Sequence, residues 1–251
     1  MKHFYVFFFA FMGFVCSVQA TTYYSQGSLA PQLLSTWNTN RNGGGSSPSS
    51  FTIGGDEFII QGNHVLYTTS IWTVGTSSSV LKIESSGVLY AQHPIFFNGF
   101  FQLLDYGTYY HDNSSSVNSA AGTSIFGGTE MFAARSRVEI RNWINNSTPL
   151  PAGVNWGTLV INYAVNLGGN WNQQGSLTNV QGDLLIKRTG TTNQDFRLTT
   201  SSSGSDVSTD GGKSWKNLDK ENYNSVAAKG KNAIWAVGAS GLVAKFSMNK
   251  K

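Results

Sequence analysis

The side chains with the widest chemical reach fall between positions 105 and 141. Asp105, Tyr106, Tyr109, Tyr110, His111 and Asp112 place aromatic rings, two carboxyl groups and an imidazole in one short stretch. Rings carry an apolar body and a polar tip, so Tyr106, Tyr109, Tyr110, His111 and Asp112 read as a sugar-binding patch that performs no catalysis. If the protein is an enzyme, His111 beside Asp105 or Asp112 is the candidate base. Glu130, Arg137 and Glu139 then complete the acid and basic set of a polysaccharide lyase or glycoside hydrolase, with Ca²⁺ as the one cofactor that this reading admits. A plainer reading stands beside both. The first stretch is then a solvated loop, and Arg135, Arg137 and Arg141 pair their charges with Glu130 and Glu139 across strands.

Other chemistries find little support. Four scattered histidines and a single cysteine, Cys16, do not make a zinc site, and no metal is expected outside the enzymatic reading. The glycines form neither a dinucleotide fingerprint nor a phosphate loop. Eight lysines and no arginine lie beyond residue 200, against four acids, so that segment carries a net charge of +4. It lacks regularly spaced aromatic platforms, and nucleic acid is not an expected partner. Residues 21–200 hold nine acids and eight bases, six of them Arg, a net of −1. This change in composition marks a boundary at Thr200.

The elements that must position these groups are short strands. Segments of β type centre near Ile60, Lys82, Leu103, Glu139, Ile161 and Leu185, at steps of 22, 21, 36, 22 and 24 residues. Near-equal steps of this length, joined by Gly, Asn and Ser turns, predict a stacked solenoid. The fold class is all-β, a parallel β-helix. Alternation puts Phe58 with Ile60, Val65 with Tyr67, Leu81 with Ile83 and Val88 with Tyr90 on inward faces, and Val138 with Ile140, Leu159 with Ile161, and Leu184 with Ile186 repeat the pattern. The long step predicts an inserted loop projecting from the coil at Tyr106–Thr123, a natural place for binding residues. Only 12% of residues are charged while 28 are Gly, a composition suited to turn-rich β-structure.

The chain divides into four parts. Residues 1–20 have a basic start, an apolar run from Phe4 to Val15 and a Val18-x-Ala20 exit, the pattern of a cleaved secretory signal. That run is too short to span a bilayer, so no membrane span is expected after cleavage. Removal of Cys16 with it leaves a mature chain without disulfides. Residues 21–55 form a cap and an exposed loop, 56–200 the β-helix, and 201–251 an antiparallel meander.

Two resemblances add to this. Phe101-Gln-Leu-Leu-Asp-Tyr-Gly-Thr-Tyr-Tyr-His-Asp-Asn113, Val138-Glu-Ile-Arg-Asn-Trp-Ile144 and Trp156-Gly-Thr-Leu-Val-Ile-Asn-Tyr163 with Leu167-Gly-Gly-Asn-Trp-Asn172 resemble the amino-terminal region of large secreted surface proteins of Gram-negative bacteria. That likeness covers about residues 21–200 and implies a right-handed parallel β-helix at the cell surface or outside the cell. Ser208-Thr-Asp-Gly-Gly-Lys-Ser-Trp215 is similar to the Asp-box of sialidase-like and photosystem-assembly-factor-like propellers. There Ser208, Asp210, Gly212 and Trp215 would be structural, and residues 201–251 would supply one blade where a propeller needs several. Together these readings imply a secreted or cell-surface structural or adhesive protein whose partner is a polysaccharide. The alternatives are a polysaccharide-degrading enzyme on a β-helix, or a hybrid or truncated gene product without activity.

Overall fold

A computed structural model of the chain describes residues 20–114, 125–190, 194 and 196–198, and beyond these the backbone of five strands between residues 206 and 246. The signal segment and the Asp-box residues Ser208, Asp210, Gly212 and Trp215 lie outside the described residues. The body is a parallel β-helix. One wall, wall A, holds β1 (Thr22–Ser25), β3 (Glu57–Ile60), β6 (Val80–Ile83), β8 (Ile95–Leu103) and β10 (Gly127–Phe132), all parallel. Wall B holds β4 (Val65–Tyr67), β7 (Val88–Ala91), β9 (Thr108–His111), β11 (Arg137–Ile140), β13 (Thr158–Tyr163) and β16 (Leu184–Thr189). A third side is made of short pieces: β5 (Trp72–Thr73) against the start of β8, and β14 (Trp171–Asn172) against β17 (Phe196–Arg197). β12 (Asn155–Trp156) pairs with β15 (Asn179–Val180).

Strand pairing fixes the period. On wall B the inward residues Leu66, Leu89, Tyr109, Val138, Leu159 and Leu184 lie side by side at separations of 23, 20, 29, 21 and 25 residues. On wall A the matching column is Tyr23, Phe58, Leu81, Phe101 and Glu130. The series read from the sequence therefore changed walls. Ile60, Lys82 and Leu103 belong to wall A, whereas Glu139, Ile161 and Leu185 belong to wall B, and the step of 36 spans a coil plus the corner between the walls. The interval from Tyr109 to Val138 is still eight to nine residues longer than those on either side, and residues 115–124 of the expected insertion lie outside the described residues.

Two expectations are corrected. Tyr109, Tyr110 and His111 sit in strand β9 rather than in a projecting loop. Val65, Tyr67, Val88 and Tyr90 face outward, and the residues between them, Leu66 and Leu89, are fully buried. Every residue of Val88–Ala91 is apolar or aromatic, so alternation alone does not mark the inward face there.

The first rung begins at Thr22, inside the segment expected to be a cap. β2 (Trp37–Asn38) runs antiparallel to β1 and covers its outer edge, preceded by a 3-10 turn at Leu34–Thr36. This supplies partners to an edge that would otherwise recruit other chains. Trp37 is fully buried, donates its indole N–H to the Pro31 carbonyl at 2.7 Å and stacks on Trp72. The loop after β2 is tied down by Arg41, which lies over Tyr24 and pairs with Glu84 two coils on.

The corners between wall A and wall B repeat as well. Asn63, Ser86 and Tyr106 each occupy the left-handed region at φ 64°, and their amides bond the carbonyls of Ser86, Tyr106 and Arg135 in the following corners. A non-glycine residue in that region costs about 1 kcal/mol, and the corner-to-corner bonds offset it. Gly87 follows because a Cβ there would lie 3.0 Å from the carbonyl oxygens of Gln61 and Glu84.

Beyond residue 200, β18 (Asp206–Val207) pairs antiparallel with β19 (Lys216–Asn217), and β20 (Tyr223–Lys229), β21 (Ala233–Gly238) and β22 (Val243–Phe246) form an antiparallel meander.

Adjacent residues of β8 test the register. Phe101 is buried among Tyr109, Phe126 and Phe132, while Phe100 is 42% exposed on the outer wall. Replacing Phe101 with Ala should cost about 3–5 kcal/mol in urea unfolding. The same change at Phe100 should cost about 0.5 kcal/mol, and equal costs at the two positions would contradict the assignment of faces.

Candidate functional site

Strand geometry divides the sequence-predicted residues among four places. Tyr109 and His111 point into the coil, both essentially inaccessible, and the Tyr109 hydroxyl lies 3.0 Å from His111 Nδ1. Burial pushes the Tyr109 phenol well up, and the negative charge of Glu130 adds to this. Glu130 stands in wall A at the register position of Phe101, and its Oε1 accepts the amides of Ile125 at 2.8 Å and Phe126 at 3.1 Å. Asp105 and Tyr106 occupy a corner. Asp105 accepts the Arg135 amide at 3.0 Å, and Arg135 also donates to the exposed Tyr106 hydroxyl at 2.9 Å.

The fourth place is the outer face of wall B, where Tyr110, Asp112, Arg137 and Glu139 come together. In-register pairing sets Tyr67, Tyr90 and Tyr110 above one another. Their rings stack at 4.5 Å and 9°, then at 4.1 Å and 6°. The Arg141 guanidinium flanks the column, 4.1 Å from the centre of the Tyr110 ring and 5.3 Å from that of Tyr90. Most ring faces in this column are thus occupied by other groups, and solvent meets mainly the edges and hydroxyls. A flat sugar-stacking platform at Tyr109 and Tyr110 is not what the strands produce, because neighbours along a strand face opposite ways.

Glu139 lies beside Tyr110 at the next rung and is 3% exposed. Three donors hold it: Arg137 Nη2 at 2.5 Å, Arg141 Nε at 2.9 Å and Asn162 Nδ2 at 2.8 Å. Burial raises its affinity for a proton, but the donors outweigh it, and the carboxyl titrates below its ordinary value. Asp112 moves the other way. Burial pushes its carboxyl up, the charge of Glu139 adds to that, and Arg141 only partly counters it.

A second surface feature was not anticipated. A groove of about 390 Å³ runs along wall A, lined by Gln102, Leu104, Glu130, Met131, Asn155 and Gln181 among others. It forms because wall A steps down after β10 to the two-residue β12, whose Trp156 turns inward under Phe132. Asn179 donates to Asn155 at 2.6 Å, fixing that amide at the rim. The residues come from four separate coils, so sequence proximity gives no signal for them. For the wall B column a signal existed, namely Tyr67, Tyr90 and Tyr110 at the coil repeat.

Among the described residues no group of three His, Cys, Asp or Glu is arranged to hold a metal ion, and no helix is long and apolar enough to cross a membrane. Comparison with protein-family models, with curated proteins and with solved structures gives no match in any of the three.

The Glu139 cluster makes a pH prediction. A carboxyl depressed in the folded state contributes stability that is present above its unfolded value, near 4.3, and is lost as pH falls through the folded value. Glu139→Gln should therefore lower stability by about 1–3 kcal/mol at pH 7, and the gap to the unaltered protein should close as pH drops below 4. Thermal unfolding from pH 3 to 7 measures this, and a gap independent of pH would mean that the charge of Glu139 is immaterial.

Proposed function

We propose that this protein is an exported, non-catalytic β-helix of the cell surface or extracellular matrix that contacts glycans. The observation carrying the proposal is the groove on wall A. Amides of Gln102, Asn155 and Gln181 there stand beside the exposed apolar side chains of Leu104 and Met131. Amides both donate and accept, which suits hydroxyl groups, and apolar side chains suit the faces of sugar rings. The candidate acids support binding over hydrolysis: Asp105 and Glu130 cap backbone amides in separate places, and Glu139 is spent on three donors. Export rests on the secretory-signal pattern of residues 1–20, and the antiparallel strands beyond residue 200 are in keeping with a blade-like meander.

A second reading has one specific observation in its favour. Asp112 and Glu139 share the outer face of wall B with Arg137, and their environments push their proton affinities in opposite directions. Such a split is the mark of an acid and base pair. In that case the protein degrades an acidic or neutral polysaccharide.

Retention of the full chain on insoluble polysaccharides and on a glycan array separates the readings. Binding without release of shortened product, weakened about five-fold by Asn155→Ala through loss of one hydrogen bond, is the expected result. Product release that disappears in Asp112→Asn would establish the enzymatic reading instead, and failure to bind any polymer would count against the proposal.

A further inference from the structure

The geometry of wall B points to a modification site independent of glycan contact: we propose that Tyr90 and Tyr110 are poised for oxidative coupling into a covalent tyrosine–tyrosine bond. The two rings lie 4.1 Å apart and 6° from parallel. They are held by the register of β7 on β9, which pairs Tyr90 directly with Tyr110. Close approach of the reacting rings before oxidation converts a bimolecular encounter into an intramolecular one. Arg141 flanks the pair, 4.1 Å from the centre of the Tyr110 ring and 5.3 Å from that of Tyr90.

The other described tyrosines are placed differently. Tyr23 stacks on Phe58, Tyr24 lies under Arg41, Tyr106 is beside Arg135, and Tyr109 and Tyr163 are buried against Phe, His or Trp rings. Among the described residues tyrosine meets tyrosine only in the column of Tyr67, Tyr90 and Tyr110. Tyr67 is 41% exposed at its head and gives a small oxidant access to the stack.

The chemistry needs a one-electron oxidant, and hydrogen peroxide acting through a haem peroxidase is the class proposed. Each phenol gives up one hydrogen atom, and the peroxide is reduced to two molecules of water. The two phenoxyl radicals then join through a new bond between a ring carbon ortho to each oxygen. The hydrogen on each joined carbon returns to its phenolic oxygen, restoring both aromatic rings. The product lacks two hydrogen atoms and bridges successive coils. In a chain whose single cysteine is Cys16, such a bond is a covalent staple that needs no thiol.

The test is to treat the folded full chain with a haem peroxidase and hydrogen peroxide, then to cleave after Glu84, Asp105 and Asp112. Cleavage leaves Tyr90 and Tyr110 on separate peptides, 85–105 and 106–112. The expected result is one species joining these peptides, lighter by two hydrogen atoms than their sum, with the link at Tyr90 and Tyr110 on fragmentation. Tyr110→Phe keeps the ring and removes the phenol, and it should abolish this species. Oxidation of heat-unfolded protein should reduce it at least ten-fold, because the strand register is gone. Absence of the linked peptides from the folded protein would overturn the proposal. So would a link at Tyr106 or Tyr109, persistence of the species in Tyr110→Phe, or equal yield from unfolded chain.

Discussion

Parallel stacking in register is the constraint from which the rest of this molecule follows. Each inward position of one coil lies directly against the same position of the next, so the interior is a set of columns rather than a single cluster. Phe58, Leu81 and Phe101 form one such column, Ile60, Ile83, Leu103 and Phe132 another, and Leu66, Leu89, Tyr109, Val138 and Leu159 a third. Each buried group of this size contributes about 1.5–3 kcal/mol relative to exposure. The corners obey the same rule: the strands stay aligned only if each corner takes the same path, which is why Asn63, Ser86 and Tyr106 share one backbone conformation despite their different side chains.

The same stacking works on the outside, where it limits charge. Like charges one above another would repel at a spacing of about 4.8 Å, so an outer column tolerates few of them. Glu57 is met by Lys82, Glu84 by Arg41, and Glu139 by Arg137 and Arg141. A chain with 12% charged residues fits this restriction. Aromatic rings are favoured by it, since stacked identical rings gain contact instead of losing energy. The Tyr67, Tyr90 and Tyr110 column is the outcome, flanked by Arg141 and followed at the next rung by Glu139.

Alternation of apolar and polar residues made the strands legible before any coordinates, and the near-equal steps made the solenoid legible. Phe58, Ile60, Leu81, Ile83, Val138, Ile140, Leu159 and Ile161 all face inward as alternation requires. Failure came where alternation is absent. Val88-Leu-Tyr-Ala91 offers two equally apolar faces, and only the partners on either side decide that Leu89 goes in and Tyr90 out. The chain also gives no mark for passage from one wall to the other, so the corner between Leu103 and Tyr110 was added to a coil that is itself longer than its neighbours. The candidate site suffered most. Tyr109, Tyr110, His111 and Asp112 are adjacent in sequence, and strand geometry sends them to opposite sides of the wall. The wall A groove, assembled from residues 102 to 181, depends on a step in the sheet that no local pattern encodes.

One level of the stack departs from the apolar rule. The coil carrying Tyr109 and His111 leads to the longest interval on wall B, 29 residues from Tyr109 to Val138, and Glu130 stands in the wall A column that elsewhere holds Tyr23, Phe58, Leu81 and Phe101. Burying polar groups costs several kcal/mol each unless they are bonded. Here Tyr109 meets His111, and Glu130 takes two backbone amides from Ile125 and Phe126. Those two residues end the extended coil, so the carboxylate fixes where the longer path rejoins wall A. A column of oily side chains resists a slip through packing alone, and two amides aimed at one oxygen add a directional constraint. The polar level therefore sets the register at the point where variation in coil length would otherwise destroy it. The strands above it, from Arg137 onward, inherit their alignment with Tyr110 and Tyr90 from that fixed point.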